Sequence, residues 1–238
     1  MCSPRHDDGG LRCPGPQSIL QSGLEAMERK DRCAAVFLDR DGVLVEDRGL
    51  LVDAGELRVL AGVPSALRRL REAGFHLIVV SNQAVVARGM ITPEGVEAIH
   101  AQLLGLLEEA GAPRLDAIYF CPHHPNADLP EYRVQCDCRK PRPGALLRAA
   151  EEHGVDLAAS FLIGDRMTDI AAGAAAGCRT ILLRGPERET PPATTPEPPE
   201  GWRQPDYVCP DLPAAVEWIL AARPLRPWVA LQSECRQG

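Results

Sequence analysis

Short apolar runs recur along the chain, each closing on polar residues or glycine, with stretches of helical period between them. Ala34-Ala35-Val36-Phe37-Leu38 is wholly apolar and meets Asp39-Arg40-Asp41-Gly42 at once. That is the pattern of a buried parallel strand and the loop at its carboxyl end. His76-Leu77-Ile78-Val79-Val80 leads into Ser81-Asn82-Gln83, residues 117–120 lead into Cys121, and Phe161-Leu162-Ile163 leads into Gly164-Asp165. Residues 180–183 read as a fifth strand, and Tyr207-Val208 as a short last one.

The segments between these runs predict helices. Residues 64–73 begin at Pro64, place Leu67 and Leu70 on one face and stop at Gly74. Thr92 is an N-cap with Pro93 at the first helical position, and that helix runs to about residue 110. Residues 143–153, 168–176 (closed by Gly177) and 212–222 complete the set. Strands alternating with helices define an α/β fold: an open, mostly parallel Rossmann-like sheet with helices on both faces. Ligands in such sheets bind beyond the carboxyl ends of the strands. Asp39, Asp41, Ser81, Lys140 and Asp165 are therefore expected to converge, though they span much of the sequence.

Three segments lack this periodicity. Residues 1–30 hold turn formers and charges and are expected to be a disordered leader. Met27, just ahead of the first strand, leaves an alternative start open. Residues 185–205, rich in Pro, Thr and Glu, read as an extended surface loop, and residues 223–238 as a tail. The working domain is thus 31–222, and the short loop after Asp41 leaves no room for a large cap domain. The loop that opens at Cys121 is long enough to be functional or tied by a metal.

Charge narrows the partners. With 26 basic and 33 acidic residues, a net charge of −7 argues against nucleic acid and against an anionic membrane surface. No apolar run reaches transmembrane length and the first thirty residues hold no signal-peptide core, so a cytoplasmic protein, taken as a monomer, is expected. Aromatic residues are only 4%, which makes the core aliphatic. Nine cysteines in a reducing compartment suggest metal or catalysis more than disulfides.

The strand ends carry the chemistry. Asp39 and Asp41, two apart on an extended segment, point the same way. Two such carboxylates repel unless a cation or a shared proton intervenes, an arrangement suited to a nucleophile beside a general acid/base with Mg²⁺. A polar turn has the same letters, as does the start of a calcium loop, although the later calcium ligands are missing. Ser81-Asn82-Gln83 offers a hydroxyl and amides for phosphate oxygens, or a turn. Arg139-Lys140 is a pair of anion-binding cations or a solvated surface pair. Asp165 is a metal ligand or a helix N-terminal aspartate. Cys121, His123, Cys136 and Cys138 form C-x-H…C-x-C, with zinc-binding donors. Free thiols, a disulfide or a redox pair remain open for the same residues.

In order, DxDGV, SNQ, RKP and GDxxxD resemble the four signatures of the haloacid dehalogenase-like (HAD) phosphohydrolase superfamily. The segment CPHHP…CDCRKPRPG further resembles the zinc loop of its subfamily of heptose bisphosphate and histidinol-phosphate phosphatases, the heptose group more closely. The resemblance covers about residues 33–184, with weaker support to 222.

It implies an enzyme that hydrolyses small phosphorylated sugars with Mg²⁺: position 7 of D-glycero-D-manno-heptose 1,7-bisphosphate, or alternatively histidinol phosphate or another sugar phosphate. Asp39 is then the nucleophile that becomes an aspartyl-phosphate, and Asp41 the general acid/base. Ser81 and Lys140 hold the phosphoryl group. Mg²⁺ sits on Asp39, the Asp41 carbonyl and Asp165, with Asp169 behind it. Zn²⁺ sits on Cys121, His123, Cys136 and Cys138, with His124 left out, and pins the loop over 121–138. Asp47, Asn82, Arg139 and Arg166 are expected to face the sugar or its second phosphate. The other cysteines (2, 13, 33, 178, 209 and 235) are expected to be free thiols.

Three departures from the subfamily stand out: Ser81 for Thr, Arg166 for Lys, and Ala84-Val85 for Ser-Gly. The last sets a β-branched residue where glycine would permit positive φ. A zinc-stabilised binding protein with a degenerate site is the non-enzymatic alternative, and the intact acidic set speaks against it.

Overall fold

The computed structural model describes residues 32–185 and 203–222. The leader over 1–30, the tail over 223–238 and most of the Pro-rich segment lie outside the described residues.

Six parallel strands form one sheet: β1 (Ala35–Leu38), β2 (His76–Asn82), β3 (Ala117–Cys121), β4 (Phe161–Gly164), β5 (Arg179–Leu183) and β6 (Tyr207–Cys209). Their spatial order is β3-β2-β1-β4-β5-β6. The chain moves outward from β1 to β3 and then returns to the other side of β1. The sheet therefore reverses its winding between β1 and β4, which pair in register as Val36 with Phe161 and Leu38 with Ile163. Such a switch point opens a crevice at the carboxyl ends. Asp39 and Asp165 follow these two strands directly.

Among the described residues six α-helices flank the sheet: α1 (Val63–Glu72), α2 (Ala84–Ala87), α3 (Pro93–Glu109), α4 (Gly144–Glu152), α5 (Met167–Ala176) and α6 (Leu212–Ala222). Strand alternation divides the core into two layers. Val36, Leu38, Leu77, Val79 and Ile163 pack with Leu67 and Leu70 of α1, Ile99 and Leu103 of α3 and Val216 of α6. Ala35, Phe37, Ile78, Val80 and Leu162 face Leu146 and Ala149 of α4 and Ala172 of α5. The helices thus lie on both faces, as the alternation of elements required. Thr92 caps α3 by accepting from the Gly95 amide at 3.2 Å.

The differences from expectation are local. Pro143 takes the N-cap of α4 rather than its first turn, and α2 was not anticipated. Val85 lies inside α2 and is buried with Val86 and Val96. No described non-glycine residue has positive φ, so the β-branched replacement costs no backbone strain here. Cys178 and Cys209 are free and buried as expected. Cys33 is not free. It is disulfide-bonded, and it lies half-buried two residues ahead of β1, β-bridged to Val155, so its sulfur is committed to a covalent partner and does not act as a thiol. Among the described residues no helix is long and apolar enough to cross a membrane.

Candidate active site

The first acid is fixed by the end of β1. The Asp39 amide continues the β1–β4 ladder by donating to the Ile163 carbonyl at 3.0 Å. Its carboxylate accepts from the Arg40 amide at 2.8 Å and from Lys140 Nζ at 3.0 Å. Lys140 reaches the site from the loop before α4 and is 2% exposed. Its ammonium also donates to Asp169 Oδ1 and to the Val80 carbonyl, each at 2.7 Å. A buried ammonium is costly unless paired and hydrogen-bonded. Here the two carboxylates more than offset the cost and hold Lys140 well above the ordinary lysine value, although burial acts the other way.

Asp165, whose side chain is 3% exposed, completes a triad. One carboxylate oxygen from each of Asp39, Asp165 and Asp169 falls within 4.8 Å of the others. Asp169 also accepts from the Arg166 amide at 2.9 Å, at the start of α5. Gly164 makes this approach possible, because a Cβ there would stand 2.2 Å from the Asp169 Cβ. Three carboxylates against one ammonium leave excess negative charge, and hard oxygen donors of this kind suit Mg²⁺. The residues fit that ion. The Asp41 side chain does not join the group.

Asp41 is held separately. Arg40 grips it with Nε to Oδ1 at 3.1 Å and Nη2 to Oδ2 at 2.9 Å, and Gln83 Nε2 donates to Oδ2 at 3.0 Å. Burial raises the Asp41 carboxyl above the usual aspartate value, with Asp39 pushing the same way and Arg40 opposing. Gln83 Nε2 also donates to Ser81 Oγ at 2.9 Å, and Ser81 is buried.

Asn82 is bonded to the backbone of Lys140. Its Nδ2 donates to the Lys140 carbonyl at 3.0 Å, and its Oδ1 accepts from the Lys140 amide at 3.1 Å. An amide matched to a peptide unit in this way is engaged at both ends, so Asn82 clamps the Lys140 backbone. Arg139 Nη1 donates to the His123 carbonyl at 3.0 Å, and Arg166 Nη2 pairs with Asp47 at 3.1 Å. Arg40 and Gln83 were not anticipated as site residues. Their signal was present, since both stand inside motifs already singled out, DRDG and SNQ.

The loop after β3 brings the soft ligands together. Cys121 closes β3, and its Sγ lies 3.4 Å from Cys136 Sγ and 3.3 Å from Cys138 Sγ. His123 Nδ1 lies 3.8 Å from Cys121 Sγ and 3.7 Å from Cys138 Sγ. A tetrahedral zinc centre with bonds of about 2.0–2.3 Å has edges of about 3.6–3.8 Å, close to this spacing. Burial pushes the Cys121 and Cys138 thiols up; Cys136 feels burial as well but is lowered by hydrogen bonds from its two neighbours. Three crowded sulfurs and an imidazole fit zinc. His124 stands apart, its Nδ1 accepting from the Asn126 amide at 3.1 Å.

A HAD-hydrolase-like family profile matches residues 137–215, the stretch from the lysine loop through the last strands. The D-glycero-beta-D-manno-heptose-1,7-bisphosphate 7-phosphatase of Yersinia pestis is 40% identical over 186 residues, 77% of this chain and 95% of that one. The enzyme of the same name from Rhodopseudomonas palustris is 42% identical over 154 residues, 65% of this chain and 85% of its own. Among solved structures, D,D-heptose 1,7-bisphosphate phosphatase from B. bronchiseptica, complexed with magnesium and phosphate, superposes with a TM-score of 0.65. It is 35% identical and covers 80% of this chain and 99% of that one. The chain belongs to the HAD-like phosphatase family, and it is a phosphatase. The relatives that fix this membership are heptose 1,7-bisphosphate 7-phosphatases.

Proposed function

We propose that this phosphatase removes the phosphate at position 7 of D-glycero-D-manno-heptose 1,7-bisphosphate through an aspartyl-phosphate on Asp39. The observation that carries the reading is the 40% identity with a heptose bisphosphatase over 95% of that enzyme's length. The buried Asp39–Lys140–Asp169 cluster beside Asp165 supports it.

Asp39 attacks phosphorus in line, and the bond to the sugar oxygen breaks. Asp41, its carboxyl raised by burial, gives its proton to the departing alkoxide. It then takes one from the water that cleaves the Asp39–phosphorus bond. Lys140 pairs with the nucleophile and aims it, and Ser81 donates to the phosphoryl oxygens. Asp39, the Asp41 carbonyl and Asp165 would hold Mg²⁺, which would supply the positive charge that lets a dianionic phosphate approach a carboxylate. Zinc on Cys121, His123, Cys136 and Cys138 ties down the loop that carries Arg139 and Lys140. Arg139 and Arg166, the latter paired with Asp47, would read a second anionic group of the substrate.

The test is phosphate release from both anomers of the heptose bisphosphate, histidinol phosphate and common sugar phosphates, with Mg²⁺. Selective loss of the 7-phosphate supports the reading. Preference for histidinol phosphate or another sugar phosphate refutes the substrate, and no turnover of any phosphomonoester refutes the mechanism.

A further inference from the structure

Among the described residues Arg40 is the largest fully buried side chain, a guanidinium 1% exposed. A charge in that position needs partners for its donors. Two go to Asp41, as a fork matched to a carboxylate. Nη2 also donates to Gln83 Oε1 at 2.9 Å. Nη1 faces His100 Nε2 at 3.4 Å. His100 is 5% exposed on α3, with its ring edge-on to Phe120 at 5.5 Å between centroids. Burial, reinforced by Arg40, lowers its pKa to about 4, so the ring is neutral near pH 7. A neutral imidazole facing a guanidinium accepts at Nε2 and carries its proton on Nδ1.

We infer that His100 and Arg40 are positioning residues for the phosphatase reaction: His100 holds one arm of Arg40, and Arg40 with Gln83 holds the Asp41 carboxyl in the orientation needed to donate and recover its proton. The inference rests on the reading of Asp41 as general acid/base. Asp41 sits on a loop end and is partly open to solvent, whereas the nucleophile beside it is locked by Lys140 and its own backbone. Without the fork, Asp41 can rotate about its side-chain bonds. Without His100, Arg40 keeps its charge but has a buried donor unmatched, and its plane is free to tilt. The chain from α3 to the reacting proton thus runs His100, Arg40, Asp41, each link a hydrogen bond.

The reaction separates this role from a structural one. Forming the Asp39–phosphorus bond expels the leaving oxygen with its electron pair. A sugar alkoxide needs a proton from Asp41 at that moment, while p-nitrophenolate does not. Water then attacks phosphorus, Asp41 takes its proton, and phosphate departs from Asp39. Misplacing Asp41 should therefore slow both steps for the sugar, but only the second for the aryl ester.

Arg40→Lys, His100→Leu, His100→Gln and Asp41→Asn would be compared with the parent on heptose bisphosphate and on p-nitrophenyl phosphate, each checked for folding by thermal melting. Arg40→Lys is expected to lower kcat on the sugar about 100-fold and His100→Leu about tenfold, with KM changed less than about twofold. Both should give a rapid burst approaching one p-nitrophenolate per chain before slow turnover. His100→Gln, which restores an acceptor, should recover most of the loss. The inference is overturned if folded Arg40→Lys and His100→Leu keep the parent kcat while Asp41→Asn is crippled. It is also overturned if the variants lose the aryl burst together with turnover, which would mean the nucleophile was disturbed. If Asp41→Asn itself turns over the sugar like the parent, the general acid/base reading fails instead.

Discussion

Lys140 Nζ and Asp169 Oδ1 lie 2.7 Å apart, with both side chains 1% exposed. The same ammonium holds Asp39 at 3.0 Å. Burial raises the Asp169 carboxyl above the usual carboxylate range, and the Lys140 ammonium works against that rise. Lys140→Met removes the cation and leaves two buried carboxylates facing each other. The expected outcome is a loss of about 3–5 kcal/mol in urea unfolding, with turnover abolished. Asp169→Asn, which keeps the shape and leaves Asp39 paired, should cost less in stability than Lys140→Met. Equal stability of the parent and Lys140→Met would contradict the pairing.

Asn82 and Lys140 are joined through the backbone, with the Asn82 amide bonded to both the amide and the carbonyl of Lys140. Asn82→Ala strips partners from two peptide groups, at about 1–3 kcal/mol for each left unsatisfied. Because the clamp aims Lys140, kcat should fall about tenfold or more, while KM for the sugar moves less than about threefold. A rise in KM at constant kcat would restore Asn82 to the sugar-facing role that its motif suggested.

The Cys121, His123, Cys136 and Cys138 quartet closes the loop immediately before Arg139 and Lys140. Metal analysis of the purified protein should find about one zinc per chain, as a four-ligand structural site requires. Cys138→Ser should lower the zinc content and the melting temperature together. Activity should fall with them, since Lys140 is two residues away. A folded, active protein without zinc would remove this role for the quartet.

What could be read in advance follows from which forces act locally. Asp39, Ser81 and Asp165 were legible because each directly follows or ends an apolar run, and a parallel sheet gathers such ends. The convergence of the Cys/His quartet was legible because few contexts other than a metal, a disulfide or a redox pair cluster these donors. Arg40 was not, since an arginine in a loop motif is ordinarily solvated, and only the assembled fold shows that Gln83 and His100 of α3 meet it. Asn82 was legible as a strand-end residue, but not the peptide group it meets, which arrives from a loop 58 residues later. The short helix α2 has neither a capping side chain nor an amphipathic period, so burial of Val85 and Val86 decides it. Gly164 could be seen as a strand-end glycine, but not as the point where Asp169 crosses β4.

His100 supplies a test through pH that needs no substrate. Its pKa is lowered from 6.5 to about 4, chiefly by burial and then by Arg40. The unfolded chain therefore binds a proton near pH 6.5 that the folded chain refuses until about pH 4. With more protons on the unfolded state, stability rises with pH across that window and falls as acid is added. The full difference is about 3 kcal/mol, at 1.36 kcal/mol per pKa unit. His100→Gln cannot titrate, so the stability difference between parent and variant should shrink as pH is lowered from 7 to 4, or reverse in the variant's favour. Carboxylates such as Asp116, held well below the usual range by its His76 and Arg71 contacts against the opposing effect of burial, titrate in both proteins and cancel in the comparison. Urea midpoints at pH 7, 6, 5 and 4 give the curve, and parallel curves for the two proteins would show that His100 is already charged or already solvated in the fold.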